Sequence, residues 1–206
     1  MAETLVAETA DCLLTITASQ PSTGMLQLHY TVRNRSAASL YLCSQLSDST
    51  QSAPGPPSAQ PDPVHIQIES GGVLLDMSVM DLSFRSDLKA LDMPLLRELP
   101  AGEATTQTIQ LALPLQPYRV DGQHPGQSAP VLLPMRFALG YFPNTPELLA
   151  ALEPVSPHFY QVLMPSSRRL AVVAAGPFTD MVAVANAVPA TVPPAPASPE
   201  HWTPWS

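Results

Sequence analysis

From Leu26 to Arg33 the chain alternates without a break. Leu26, Leu28, Tyr30 and Val32 are apolar, and Gln27, His29, Thr31 and Arg33 between them are polar. A second row runs through Leu133, Met135, Phe137, Leu139 and Tyr141. A period of two belongs to an extended strand, whose side chains leave alternate faces. Strands with one apolar row need a second layer to cover it. The expected class is therefore all-β: a two-layer antiparallel β-sandwich, with an immunoglobulin-like Greek key as the preferred topology.

Other segments carry the same signal. Cys12 to Ala18 alternates and is followed by a turn around Pro21 to Gly24, and Ser39 to Ser44 extends after a turn at Asn34-Arg35-Ser36. Val64, Ile66 and Ile68 face Val73, Leu75, Met77 and Val79 across Gly71-Gly72, a strong hairpin pattern because primed turns need positive φ. Ala104 to Leu113 reads as a strand, and Pro134 inside the Val131–Phe142 run implies an edge or a bulge. Ser86 to Leu99 fits either two short helical turns broken at Pro94 or an irregular crossover. Thr145-Pro146-Glu147 is an N-cap, a proline at N1 and an acid in the first turn, so one short helix is expected near 146–153. Phe159 to Leu163 and Arg169 to Ala175 are expected to pair, and Met181 to Val188 is a last strand. The domain then spans 1–188, and 189–206 is a Pro-rich tail. LHYTVRN before a turn, and PAGE before a strand, resemble immunoglobulin-type modules in general and point to no particular family.

The charge narrows the partners. Nine Lys plus Arg against seventeen acids give a formal charge of −8. Nucleic acid and anionic membranes call for basic patches, so neither is expected as a partner. Arg168-Arg169 is the nearest approach to a basic cluster and reads as a solvated turn. No apolar run reaches about 18 residues, and Glu3, Glu8 and Asp11 interrupt any secretory core, so the expected compartment is the cytoplasm. Cys12 and Cys43 lie on rows of different parity relative to their apolar neighbours, which argues for two free thiols rather than a disulfide. The sequon at Asn34 reads as a turn.

No nucleophile elbow, phosphate loop or zinc spacing occurs. No catalytic, metal or cofactor residue is assigned. His29 and His65 fall on the polar rows of their strands and read as solvent-facing. Asp121 with His124, and Glu153 with His158, pair an acid and an imidazole in turn sequences. In the tail, Pro193, Pro194 and Pro196 have polyproline-ligand spacing, and Trp202 and Trp205 are potential interface anchors. The expected function is a non-catalytic protein-binding or accessory module. The alternatives are a hydrolase with a site built from the 114–130 and 143–158 loops, and a cytoplasmic protease inhibitor of sandwich type.

Overall fold

A computed structural model describes residues 2–45, 64–78, 94–117, 129–162 and 170–185. It is mostly β, with several sheets and one short helix. The first sheet has the order β1-β2-β3-β8, formed by Ala2–Glu8, Cys12–Ser22, Met25–Asn34 and Ala104–Ala112, all antiparallel. The second runs β11-β12-β7-β4-β10-β6-β5, with β13 also paired to β10. Its strands are β4 (Leu40–Gln45), β5 (His65–Glu69), β6 (Gly72–Met77), β7 (Leu95–Leu99), β10 (Met135–Pro143), β11 (Leu152–Ser156), β12 (Phe159–Val162) and β13 (Ala171–Ala175). A small third sheet joins β9 (Val131–Leu133) to β14 (Val182–Val184).

The rows seen in the sequence make the core. Leu14, Ile16, Leu28, Tyr30 and Val32 from the first sheet share one apolar cluster with Leu42, Leu75, Met135, Phe137, Leu139 and Tyr141 from the second. The rings of Tyr30 and Phe137 meet at 5.2 Å, tilted by 40°. Each such buried side chain contributes about 1.5–3 kcal/mol. The other face of the second sheet is buried too. Tyr41, Cys43, Leu96 and Phe142 form a second cluster with Leu148 of helix α1 (Pro146–Ala151) and Val162 of β12. Thr145 caps that helix, its Oγ1 accepting from Leu148 N at 3.2 Å.

Several expectations need correcting. Not every pair is antiparallel: β6 and β10 run parallel, Val73 beside Met135 through Met77 beside Leu139. Leu95–Leu99 is a strand against β4 rather than a helical stripe, because Leu96 and Leu99 each find a different core. Phe159–Val162 and Ala171–Ala175 do not pair with each other. The first joins β11 and β7, and the second joins β10. The N-terminal residues 2–8 form an edge strand. Pro134 lies between strands, at a switch between sheets: β9, an edge of the two-stranded third sheet, ends before it, and β10 begins after it in the second. The last strand is Val182–Val184, shorter than the expected Met181–Val188, of which 186–188 lie outside the described residues, as does the proposed domain limit at 188.

Asn34 closes the β3–β4 turn from inside. It is 1% exposed, its Nδ2 donates to Ala38 O at 2.8 Å and Leu99 O at 2.9 Å, and its Oδ1 accepts from Ser36 N at 2.9 Å. Its amide is fully used in the turn. Gly72 is fixed by a close approach, since a Cβ there would lie 2.2 Å from the carbonyl oxygen of Pro134. That oxygen also accepts from Val73 N.

Asn34→Ala removes the donor to the buried Leu99 carbonyl, and a loss of about 1–3 kcal/mol in urea unfolding is expected. Gly72→Ala drives a methyl into backbone that cannot move without breaking the β6–β10 junction. A loss of about 1–3 kcal/mol is expected by the same measurement.

Candidate functional site

Two constellations stand out once the sheets are in place: a buried polar cluster and an open cleft. The cluster starts at the β5–β6 hairpin. Its turn is Ser70-Gly71, with Glu69 facing Gly72, so His65 comes directly opposite Asp76. His65 was expected in solvent and is instead 2% exposed. It sits at the strand's first residue, where Val64 and Ile66 beside it are also buried, so alternation does not govern this end. Gln67 Nε2 donates to Asp76 Oδ2 at 3.1 Å, and Ser78 hydrogen-bonds Asp76 through both its side chain and its backbone. Burial raises the Asp76 carboxyl above the usual carboxylate range, opposed by the Ser78 hydrogen bonds, the nearby His65 and Gln67.

An acid, an imidazole and a hydroxyl thus converge, but in the wrong order for a nucleophile. A serine activated by histidine must donate its proton to the ring. Ser78 is committed to the carboxylate instead. Cys43 lies nearby and is inert for a different reason: burial, then the Asp76 charge, push its thiol well up. Tyr30, raised by burial, donates to Gln107 Oε1 at 2.6 Å, and Gln107 Nε2 donates to Ser44 Oγ at 2.9 Å. The arrangement ties β3, β8 and β4 together through side chains.

The cleft opens at the other end of β6's neighbour β10, between the first sheet and the segment that follows β13. It has a volume of about 380 Å³. Leu26, Met135, Phe178 and Val182 form a buried apolar floor, and Glu3 and Asp180 stand on its rim. Phe178 is anchored by its N–H donating to Met135 O at 2.8 Å. Glu3 then straps the segment to β1: Oε2 accepts from Thr179 N at 2.8 Å and Asp180 N at 3.4 Å, and Oε1 accepts from the Thr179 hydroxyl at 3.0 Å. The sequence shows no signal joining residue 3 to residue 179; only the fold brings them together.

The residues singled out in the sequence are mostly elsewhere. Pro193, Pro194, Pro196, Trp202 and Trp205 lie outside the described residues, as do Asp121, His124 and Arg168-Arg169. The 143–158 stretch is no open loop but the end of β10, helix α1 and the β11–β12 hairpin, on which Glu153 and His158 are both exposed. His29 is exposed, as expected, with Nδ1 3.0 Å from Thr108 Oγ1. Cys12 and Cys43 are free and buried, one in each apolar cluster. Among the described residues no three His, Cys, Asp or Glu side chains are grouped to hold a metal ion, and no helix is long and apolar enough to cross a membrane. No protein-family model, curated protein or solved structure matches the chain.

The Asp76 shift has a definite sign. A carboxyl whose folded pKa is raised favours the folded state below its unfolded pKa, and that contribution is lost as pH rises through the folded value. Asp76→Asn is therefore expected to gain stability relative to wild type as pH rises from about 3 toward neutrality. Urea unfolding of both proteins across that range checks it, and a constant or opposite difference would contradict the assignment.

Proposed function

We propose that the chain is a non-catalytic protein-binding or accessory module, built as an immunoglobulin-like β-sandwich, that takes up a partner by strand addition at β8. The Greek-key reading is supported by strand order. In immunoglobulin-type domains strands A, B and E share one sheet, and C, F and G the other. Here β2, β3 and β8 are successive neighbours in the first sheet, while β4 and β13 flank β10 in the second. Tyr141 registers with both Leu42 and Ala171, which puts β4 and β13 on opposite sides of β10. The parallel β6–β10 pair and the β11–β12 hairpin are additions to that plan.

One observation carries the binding reading. β8 ends the first sheet, pairs with β3 over nine successive residues without a register shift, and bears no charge and no proline. Exposed sheet edges are normally blunted by charge, proline, bulges or shortness. Three other edges follow that rule. β1 carries Glu3 and Glu8, β11 contains Pro154 and a register shift, and β5 is five residues long and ends in Glu69. Among the described residues no strand but β3 pairs with β8, which thus offers a partner strand a row of backbone donors and acceptors. The Pro-rich tail, with Pro193, Pro194, Pro196, Trp202 and Trp205, is a second contact in this proposal. The cytoplasm remains its compartment, where the free Cys12 and Cys43 are at home.

The test is capture of a stoichiometric partner from the native cell by the full chain, by Thr106→Lys/Thr108→Lys, and by Trp202→Ala/Trp205→Ala. Both threonines are exposed on β8, so the fold is expected to survive. The edge variant is expected to bind at least about tenfold more weakly, a cost of about 1.4 kcal/mol. Amide exchange in 104–112 of the wild type should slow in the complex. Undiminished binding by the edge variant, or no stoichiometric partner for wild type, overturns the proposal.

A further inference from the structure

We infer that the cleft between Glu3 and Asp180 binds a small organic amine, one ammonium group carried on an apolar body. Its acidic rim is separate from the edge at β8, because Glu3 lies on β1, at the opposite side of the first sheet, though Leu26 at the cleft's base pairs with Leu111 of β8.

The volume, about 380 Å³, falls within the range of small-ligand sites, about 300–1,000 Å³. The apolar body would lie against Met181, which lines the cleft and is 53% exposed, over a base closed by the buried Leu26, Met135, Phe178 and Val182. The rim selects the charge. Glu3 and Asp180 are both carboxylates, no Lys, Arg or His lines the cleft, and the whole chain carries −8. An anion would meet two like charges and a neutral ligand would cover carboxylates without pairing them, which is costly. An ammonium brings three donors. Glu3 is ready for one of them: the Thr179 and Asp180 donors hold it, yet among the described residues Oε1 accepts the Thr179 hydroxyl alone and has a second lone pair to offer. Asp180 reaches the same space from the exposed side. A preorganised acceptor over an apolar pocket loses little on binding.

The experiment titrates phenethylamine, its neutral counterpart 2-phenylethanol and the anion 3-phenylpropionate into the full chain, followed by amide NMR and calorimetry. The expected result is that phenethylamine shifts amides of residues 178–182 and of Leu26. It should bind about tenfold more tightly than the alcohol and weaken with added salt, while the anion does not bind. Glu3→Gln and Asp180→Asn should each lower amine affinity severalfold without changing that of the alcohol. Asp180→Lys, on the exposed rim, should abolish amine binding even if the Glu3 variant fails to fold. Equal affinity for amine and alcohol, shifts confined to another surface, or wild-type affinity in Asp180→Lys overturns the inference.

Discussion

The contact between the rows of β3 and β10 is the constraint from which the rest follows. Leu28 and Tyr30 on one side, and Phe137 and Leu139 on the other, close the space between the first two sheets, with the Tyr30 and Phe137 rings at 5.2 Å. Each row belongs to a strand with neighbours on both sides, so fixing these two strands fixes β2, β8, β4, β6 and β13 by backbone pairing. Register leaves no slack, because a slip of one residue would turn every buried side chain toward water. Polar links then tie the layers together from within. The Tyr141 hydroxyl, its pKa pushed up to about 12 by burial, donates to Asp11 Oδ2 at 3.2 Å and lies 2.8 Å from Thr9 Oγ1.

The second cluster explains the shape of the larger sheet. A strand that is apolar on both faces cannot stand at the surface, and β10 reads that way from Phe137 to Phe142. Tyr41 and Cys43 add a matching patch on β4. Helix α1 and the β11–β12 hairpin cover it, which is why residues 143–158 fold as packed elements rather than as a loop. The close fit shows at Gly140, where a Cβ would come within 3.0 Å of Cys43 Sγ and 2.8 Å of Ser78 Cβ. A side chain here would separate β10 from its neighbours.

What was legible in the sequence was local. Alternation over Met25–Asn34 marks a strand with the observed ends, and Thr145-Pro146-Glu147 marks a helix start because capping is a short-range interaction. What was not legible depended on distant partners. Leu95–Leu99 has leucines at spacing that suits a helix, and only the chance to serve two cores makes it a strand. His65 shows how small an error changes a site. A turn centred on Gly71-Gly72 would set His65 opposite Ser78; the observed Ser70-Gly71 turn sets it opposite Asp76. The same polar-row argument that placed His29 in solvent therefore misplaced His65, because a strand's first residue is covered by whatever packs over the sheet end. Glu3 and Thr179 meet across nearly the whole chain, and nothing in either neighbourhood announces the other.

The two proposed surfaces differ in what the fold has had to do to keep them. An uncharged nine-residue edge invites aggregation, and chains usually remove such edges at little cost, since one exposed threonine changed to lysine suffices. Thr106 and Thr108 face outward on β8, where lysine would fit, and the chain contains only one lysine, Lys89. The overall shortage of charge explains part of this, but β1 shows that the same sheet does carry acids at its other edge. The cleft runs the opposite way. Its rim is tied by three hydrogen bonds to one carboxylate. Glu3 is half-buried and held by these three donors, where most surface glutamates face only water. Among the described residues, an unguarded edge and a strapped rim join the buried Asp76 carboxyl as places where this structure departs from what stability alone would select.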